Sequence, residues 1–256
     1  MSHLFMPWAG NKRTEFKIFK DYIDYDNKKN IIEPFCGSCA MSFNIWLEHG
    51  NKFNYYLNDL DEKIIKYHDI IKTNGTDFLL DNINKLIEKP LTIDKYKKLY
   101  KDYITDNETY KFFIILKLSY RSGCNTLRNS CHNLNKDYKA TKKQYKFEEF
   151  LKSPNVYITN DDWKDCYNRH KDDKDSIILF DPPYIDSWNN YYDKNICSLN
   201  VYDNINDIKN DKAKIYFIIE KIDKIEMIFK DWNILIEYDK TYQIYKRKTK
   251  HILYSN

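Results

Sequence analysis

Ser176-Ile177-Ile178-Leu179-Phe180-Asp181-Pro182-Pro183-Tyr184 is the stretch on which the fold turns. Its first five residues form a short apolar run that reads as a strand. In an open α/β sheet, ligands bind at the carboxyl ends of the strands, so this strand delivers Asp181 to the expected active edge. Two successive prolines fix φ and donate no N–H, which leaves their carbonyls as acceptors. Tyr184 adds a flat π-face. The four residues suit a planar amine: Asp181 and the Pro182 carbonyl accept the two N–H protons of an exocyclic amino group, and Tyr184 stacks on the ring. The plainer reading is a Pro-Pro turn after a strand.

This arrangement answers a chemical difficulty. The exocyclic nitrogen of adenine or cytosine is a poor nucleophile because its lone pair is delocalised into the ring. Two acceptors favour a tetrahedral nitrogen and free that lone pair for in-line attack on a methyl sulfonium. Alignment then supplies part of the rate, and acceptors placed where positive charge develops supply more.

Further short β-rich runs stand at Asn30–Glu33, Asn54–Asn58, Val156–Thr159, Ile215–Ile219 and Asn233–Tyr238. Helical spacing separates them, at Met41–Glu48, at Asp61–Lys72 (with Ile64, Ile65, His68 and Ile71 on one face), and at Ile222–Phe229. A further helix, Asp77–Glu88, is expected to present Phe78, Leu79, Ile83, Leu86 and Ile87. Strands alternating with helices predict an α/β domain with a largely parallel sheet. Residues 76–150 break the alternation. They read as a mainly helical inserted domain, with 1–75 and 151–256 forming the sheet domain.

Charge follows the same division. The chain of 256 residues carries a net charge of +4, but Lys95–Lys146 holds 13 Lys and Arg against 4 Asp and Glu, a net of +9, and leaves the rest at −5. A basic segment on an acidic body is the footprint of a polyanion-binding element, although a solvated Lys-rich helix has the same composition. A hydrophobic fraction of 42% supports a real core and excludes global disorder. No apolar run approaches a membrane span, and Met1–Phe5 lacks the features of a signal peptide. The six cysteines include Cys36-x-x-Cys39, with no second pair at zinc-finger spacing; they read as reduced intracellular thiols, with no metal expected. Abundant Lys, Asn, Ile and Tyr point to an AT-rich genome, a viral one included.

Three other motifs carry chemistry. Glu33-Pro34-Phe35-Cys36-Gly37-Ser38-Cys39-Ala40 lies between the first strand and a helix, where a small-residue turn admits a ligand to the backbone and the helix N-terminus. Asp59, in Leu57-Asn58-Asp59-Leu60-Asp61, ends the next strand at the spacing of a ribose-binding carboxylate, and is equally placed to cap the following helix. Pro7-Trp8-Ala9-Gly10-Asn11-Lys12-Arg13 sets Trp8 and Lys12 beside a flexible Gly-Asn that closes over a nucleoside-like cofactor, unless Trp8 is core and Lys12 surface.

With these four motifs in order, the chain resembles the Dam-like DNA adenine methyltransferases, whose pattern is Trp-Ala-Gly-Gly-Lys, Glu-Pro-Phe-x-Gly-x-Gly, a strand ending in Asp-x-Asn, and Asp-Pro-Pro-Tyr. The resemblance covers most of the chain. It implies a Rossmann-like S-adenosylmethionine-binding sheet with a helical target-recognition insertion. Trp8, Lys12, Asp59 and Asp181 would contact the cofactor, S-adenosyl-L-methionine, and Phe35 and Gly37 would line its pocket. Asp181, Pro182 and Tyr184 would hold a base flipped out of double-stranded DNA. Cys124-Asn125-Thr126-Leu127-Arg128 is the nearest match to the family's recognition hairpin; Arg128 would read a guanine edge, with Asn125 or Arg121 assisting. Lys136, Lys139, Lys142 and Lys143 would meet phosphates. Cys39 stands where the family has its second glycine, and Asp61 where it has Asn. The implied activity is site-specific methylation of the adenine 6-amino group by an intracellular monomer or weak dimer, with or without an accompanying restriction nuclease. Cytosine 4-amino or RNA adenine methylation, and a non-catalytic DNA-binding relative impaired at Cys39, are the alternatives. A nucleotide-binding oxidoreductase fits less well, because the first turn has one glycine rather than three.

Overall fold

The computed structural model describes residues 12–106, 108–118, 131, 133–183, 199–241 and 247–256, without the side chains of 116, 199 and 200. The expectations placed on Trp8, Arg121, Asn125, Arg128 and Tyr184 fall outside the described residues. The chain divides into two compact units, one of Lys12–Glu62 with Pro154–Asn256 and one containing Lys63–Ser153.

The first unit is built on one sheet. Strands β1 (Asn30–Glu33), β2 (Asn54–Asn58), β3 (Val156–Thr159) and β4 (Ser176–Phe180) fall on the residues expected from their β-rich runs. Strands β5 (Lys214–Glu220), β6 (Asn233–Thr241) and β7 (Lys248–Ser255) complete the order β3-β2-β1-β4-β5-β7-β6. The first five in that order run parallel, and β7 enters between β5 and β6 antiparallel to both. Every residue of β4 is buried, as a central parallel strand covered on both faces requires. Phe180 on β4 and Phe217 on β5 stack with ring centroids 4.4 Å apart, in a core that includes Ile178, Ile215, Phe229, Trp232 and Tyr254. The chain winds outward one way through β1, β2 and β3, and the other way through β4 and β5. The switch point therefore lies between the carboxyl ends of β1 and β4. This is the Rossmann-like architecture expected of the sheet.

Helices α1 (Phe16–Phe19) and α2 (Ala40–His49) belong to this unit. Helices α3 (Glu62–Asn74), α4 (Thr76–Leu86), α5 (Ile93–Asp106), α6 (Thr109–Leu118) and α7 (Lys142–Lys152) account for the second. Helices α8 (Trp163–Asn168), α9 (Leu199–Asp203), α10 (Ile205–Ile208) and α11 (Asp223–Ile228) return to the sheet unit.

In the helical unit, Leu79, Leu80, Ile83, Tyr96, Leu99, Phe112, Phe113, Phe147 and Phe150 are buried. Leu79, Ile83 and Ile87 are buried as expected, but Phe78 is 44% exposed and Leu80 is buried instead, so the edge of the α4 stripe differs from the expected one. Helix α7 starts with a capping box. The Thr141 hydroxyl accepts from Gln144 N–H and the Gln144 side chain accepts from Thr141 N–H. The non-helical stretch before it is tied down in three places. Leu91 and Leu134 pair through their backbones. The Asn84 side chain exchanges hydrogen bonds of 2.9 and 2.8 Å with the Tyr138 backbone. Lys117 Nζ sits 3.9 Å from the Tyr138 ring centre. That stretch carries Lys136 and Lys139, and Lys142 opens α7; all three are exposed. Among the described residues, no helix is long and apolar enough to cross a membrane.

Candidate active site

Four strand ends build the site. At the end of β4, Asp181 receives both of its oxygens' contacts from Lys12, whose Nζ lies 2.6 and 2.7 Å away. Lys12 leads into α1, its carbonyl accepts from Phe16 N–H, and it is 2% exposed. The chain thus brings two residues 169 positions apart into one ion pair, buried at Lys12 and half-buried at Asp181. Burial pushes the Asp181 carboxyl up from its ordinary range, and Lys12 works against that shift. Pro182 is buried, and the Pro183 carbonyl accepts from the Tyr202 hydroxyl at 3.2 Å.

At the end of β2, Asp59 accepts from Gly37 N–H at 2.9 Å and from Asp61 N–H at 3.0 Å. The first bond joins two of the motifs recognised in the sequence. The second closes the turn that leads into α3. Burial raises its carboxyl to about 7. Gly37 has φ of 46°, a left-handed conformation open to glycine at little cost. Phe35 is half-buried, with ring centroids of Trp163 and Phe180 each 6.2 Å away.

Cys39 also has positive φ, 54°, and is fully buried at the N-cap of α2. It therefore keeps the backbone conformation natural to the glycine it replaces, at a cost of roughly 1–2 kcal/mol. Burial, then Cys39, pushes the neighbouring Cys36 thiol well above its usual value. The four described cysteines, Cys36, Cys39, Cys131 and Cys166, are buried free thiols.

The structure gives roles to residues to which the motif reading assigned none. Glu33, 1% exposed, accepts from Ser42 N–H at 2.6 Å and so ties β1 to the first turn of α2. Burial, then the Cys39 thiol, raises its carboxyl to about 8. Buried Asn58 stitches three strand ends together. Its amide donates to the carbonyls of Pro34 and Asp161, and its oxygen accepts from the Thr159 hydroxyl and Asp161 N–H. Asn160 in turn donates to the carbonyls of Asp59 and Leu60. The loop after β3 is thereby fixed beside Asp59. Its only signal in the sequence is a strand that ends in Thr-Asn-Asp.

The family description "D12 class N6 adenine-specific DNA methyltransferase" matches residues 8–250, nearly the whole chain and all four motifs. The chain belongs to the D12 class of N6 adenine-specific DNA methyltransferases. Among its relatives, the DNA adenine methylase of Haemophilus influenzae is 30% identical over 196 residues. The match spans 70% of this chain and 63% of that relative's length. Two solved structures resemble the fold at 12% and 11% identity, both with a TM-score of 0.40. They are the putative methyltransferase yhhF from Escherichia coli, which matches over 99% of this chain and 90% of its own, and the rRNA methyltransferase aviRa from Streptomyces viridochromogenes, over 94% and 81%. In this D12 chain the sheet order itself establishes the fold.

Proposed function

We propose that the chain transfers a methyl group from S-adenosylmethionine to the 6-amino group of adenine in double-stranded DNA. The observation that carries this is the meeting of Lys12 and Asp181 at the switch point, next to the Gly37–Asp59 bridge, in a chain of this family. The division of labour follows: residues 1–75 and 151–256 hold cofactor and chemistry, and 76–150 hold DNA.

The residues present fit the cofactor. A left-handed glycine opens the turn after β1, a carboxylate at the end of β2 suits ribose hydroxyls, and the half-buried Phe35 offers an apolar face. A sulfonium also suits a pocket whose nearby carboxylates are Asp59 and Asp181. When bound, the cofactor supplies an electrophilic methyl group. The protein's part is to hold the base. A flipped adenine is cheap enough to extrude, at a few kcal/mol, for binding to offset. Asp181 accepts one amino proton and the Pro182 carbonyl the other, while Tyr184 stacks. Both acceptors stabilise positive charge as it develops on nitrogen, where one such group is worth about a hundredfold or more in rate. Asp181 then takes the proton that the methylated nitrogen must lose, and Lys12 beside it stabilises the carboxylate until then.

Purified protein incubated with methyl-labelled cofactor and mixed-sequence duplex DNA should place label in the DNA, and Asp181→Ala should reduce it by about a hundredfold or more. Equal labelling by the two proteins, or none by either, contradicts the proposal.

A further inference from the structure

A second buried charge cluster adjoins the first, and no motif contains it. Glu15, 3% exposed, lies three residues after Lys12 at the entry to α1. His251 Nδ1, from β7, is 2.8 Å from Glu15 Oε2. The Tyr238 hydroxyl, from β6, donates to Oε2 at 3.1 Å, and Lys240 on the same strand pairs with Oε1. The last two strands of the sheet thus converge on one carboxylate of the N-terminal segment, and that carboxylate lies within electrostatic reach of Lys12.

We propose that Glu15 is a positioning residue for methyl transfer: held by His251, Tyr238 and Lys240 in the same helical turn as Lys12, it offsets part of the pull of Lys12 on Asp181. The inference rests on the role given to Asp181 above.

The electrostatics are explicit. A carboxylate clasped on both oxygens by an ammonium group is a weak acceptor for a substrate amine. A second anion beside the same ammonium offsets part of its pull. Burial pushes the Glu15 carboxyl upward, but His251, Lys12 and Lys240 together outweigh it and hold it at about 2, so Glu15 stays ionised throughout the working range. Asp181 faces Lys12 and Glu15 from the N-terminal segment, His251 from β7, Glu33 from the end of β1 and Tyr202 from α9. Of these, Lys12 lowers the Asp181 carboxyl, Glu15 raises it and His251 lowers it. Among the described residues, Lys12, Lys240 and, when protonated, His251 meet the anions Glu15 and Asp181 here. Removing one member of either sign should move Asp181 in a fixed direction.

The test is titration of the Asp181 carboxyl by carbon-13 NMR on Asp-labelled protein, with Asp181→Asn identifying the signal. Glu15→Gln, which removes a negative charge, should lower the midpoint by about half a unit or more. Lys240→Met, which removes a positive charge, should raise it. Glu15→Asp, which keeps the charge, should stay close to wild type. Opposite shifts are what a charge effect gives and a packing defect does not. Shifts of the same sign, or none in a variant that is folded by circular dichroism, overturn the inference. If Glu15→Gln does not fold, Lys240→Met decides alone, and a midpoint that stays or falls overturns it. The acid limb of single-turnover methylation should follow the same order. If the carboxyl shifts as expected while wild type methylates no DNA, the proposed function fails and the charge coupling stands.

Discussion

Asp181 combines two requirements that compete: a carboxylate must be ionised to accept from an amine, yet burial at the end of β4 favours its neutral form. Lys12 reconciles them at 2.6 Å. Half of this was legible in the sequence, because Asp-Pro-Pro-Tyr after an apolar strand has a chemical reading of its own. Lys12 was legible as a site residue, but its partner was not, since nothing local links residue 12 to residue 181. Glu15 and His251 gave no signal at all: each is one charged residue in a chain rich in them, and only the closing of β7 against the N-terminal segment brings them together. Cys39 was legible as a departure from the family pattern, while its backbone conformation was not. Because φ there is 54°, Cys39→Gly relieves strain while it removes a small buried side chain, and these terms nearly cancel. Chemical denaturation should show a change within about 1 kcal/mol. Cys39→Val, β-branched at positive φ, should cost more than about 2 kcal/mol.

At the scale of elements, β1 to β4 follow their sequence runs residue for residue because each is short, β-branched or aromatic, and bounded by turn formers. The antiparallel entry of β7 between β5 and β6 is a long-range pairing that no local pattern encodes. Helix α4 buries Leu79, Ile83 and Ile87 as expected, but the edge of its face was not legible, since Phe78 and Leu80 are both apolar and only tertiary packing chooses between them. The β1–α2 junction yields a pH prediction. Glu33 titrates near its ordinary value of 4.5 when unfolded and at about 8 when folded, so the folded state holds more protons between those values. Stability from this group is full below 4.5 and is lost as pH rises toward 8. Glu33→Gln, neutral at every pH, should therefore melt above wild type at pH 8, with the gap closing by pH 4.5. A gap that does not change with pH would show that Glu33 is already ionised in the fold.

Over the whole molecule, charge divides with the sequence. The basic stretch Lys95–Lys146 lies within the helical unit, and the acidic remainder includes the sheet. Lys136 and Lys139 stand exposed on a segment fastened by the Asn84–Tyr138 and Leu91–Leu134 pairs, which gives them a fixed mounting rather than a free loop. If they and Lys142 meet phosphates, DNA affinity should fall steeply with salt, by roughly 0.9 log units per phosphate for each tenfold increase in salt. Replacing the three with Gln should lessen that slope by about one unit per lysine and weaken binding equally across sequences. An unchanged slope would remove these lysines from the interface.

If Asp181 presents the 6-amino group of adenine to a methyl donor, the product and its dependence on that carboxylate follow. Treated duplex DNA is digested to nucleosides and the methylated one identified by mass spectrometry. N6-methyladenosine, as its deoxynucleoside, is expected from wild type and almost none from Asp181→Ala. A methylated cytosine in its place, or undiminished N6-methylation by Asp181→Ala, would contradict it.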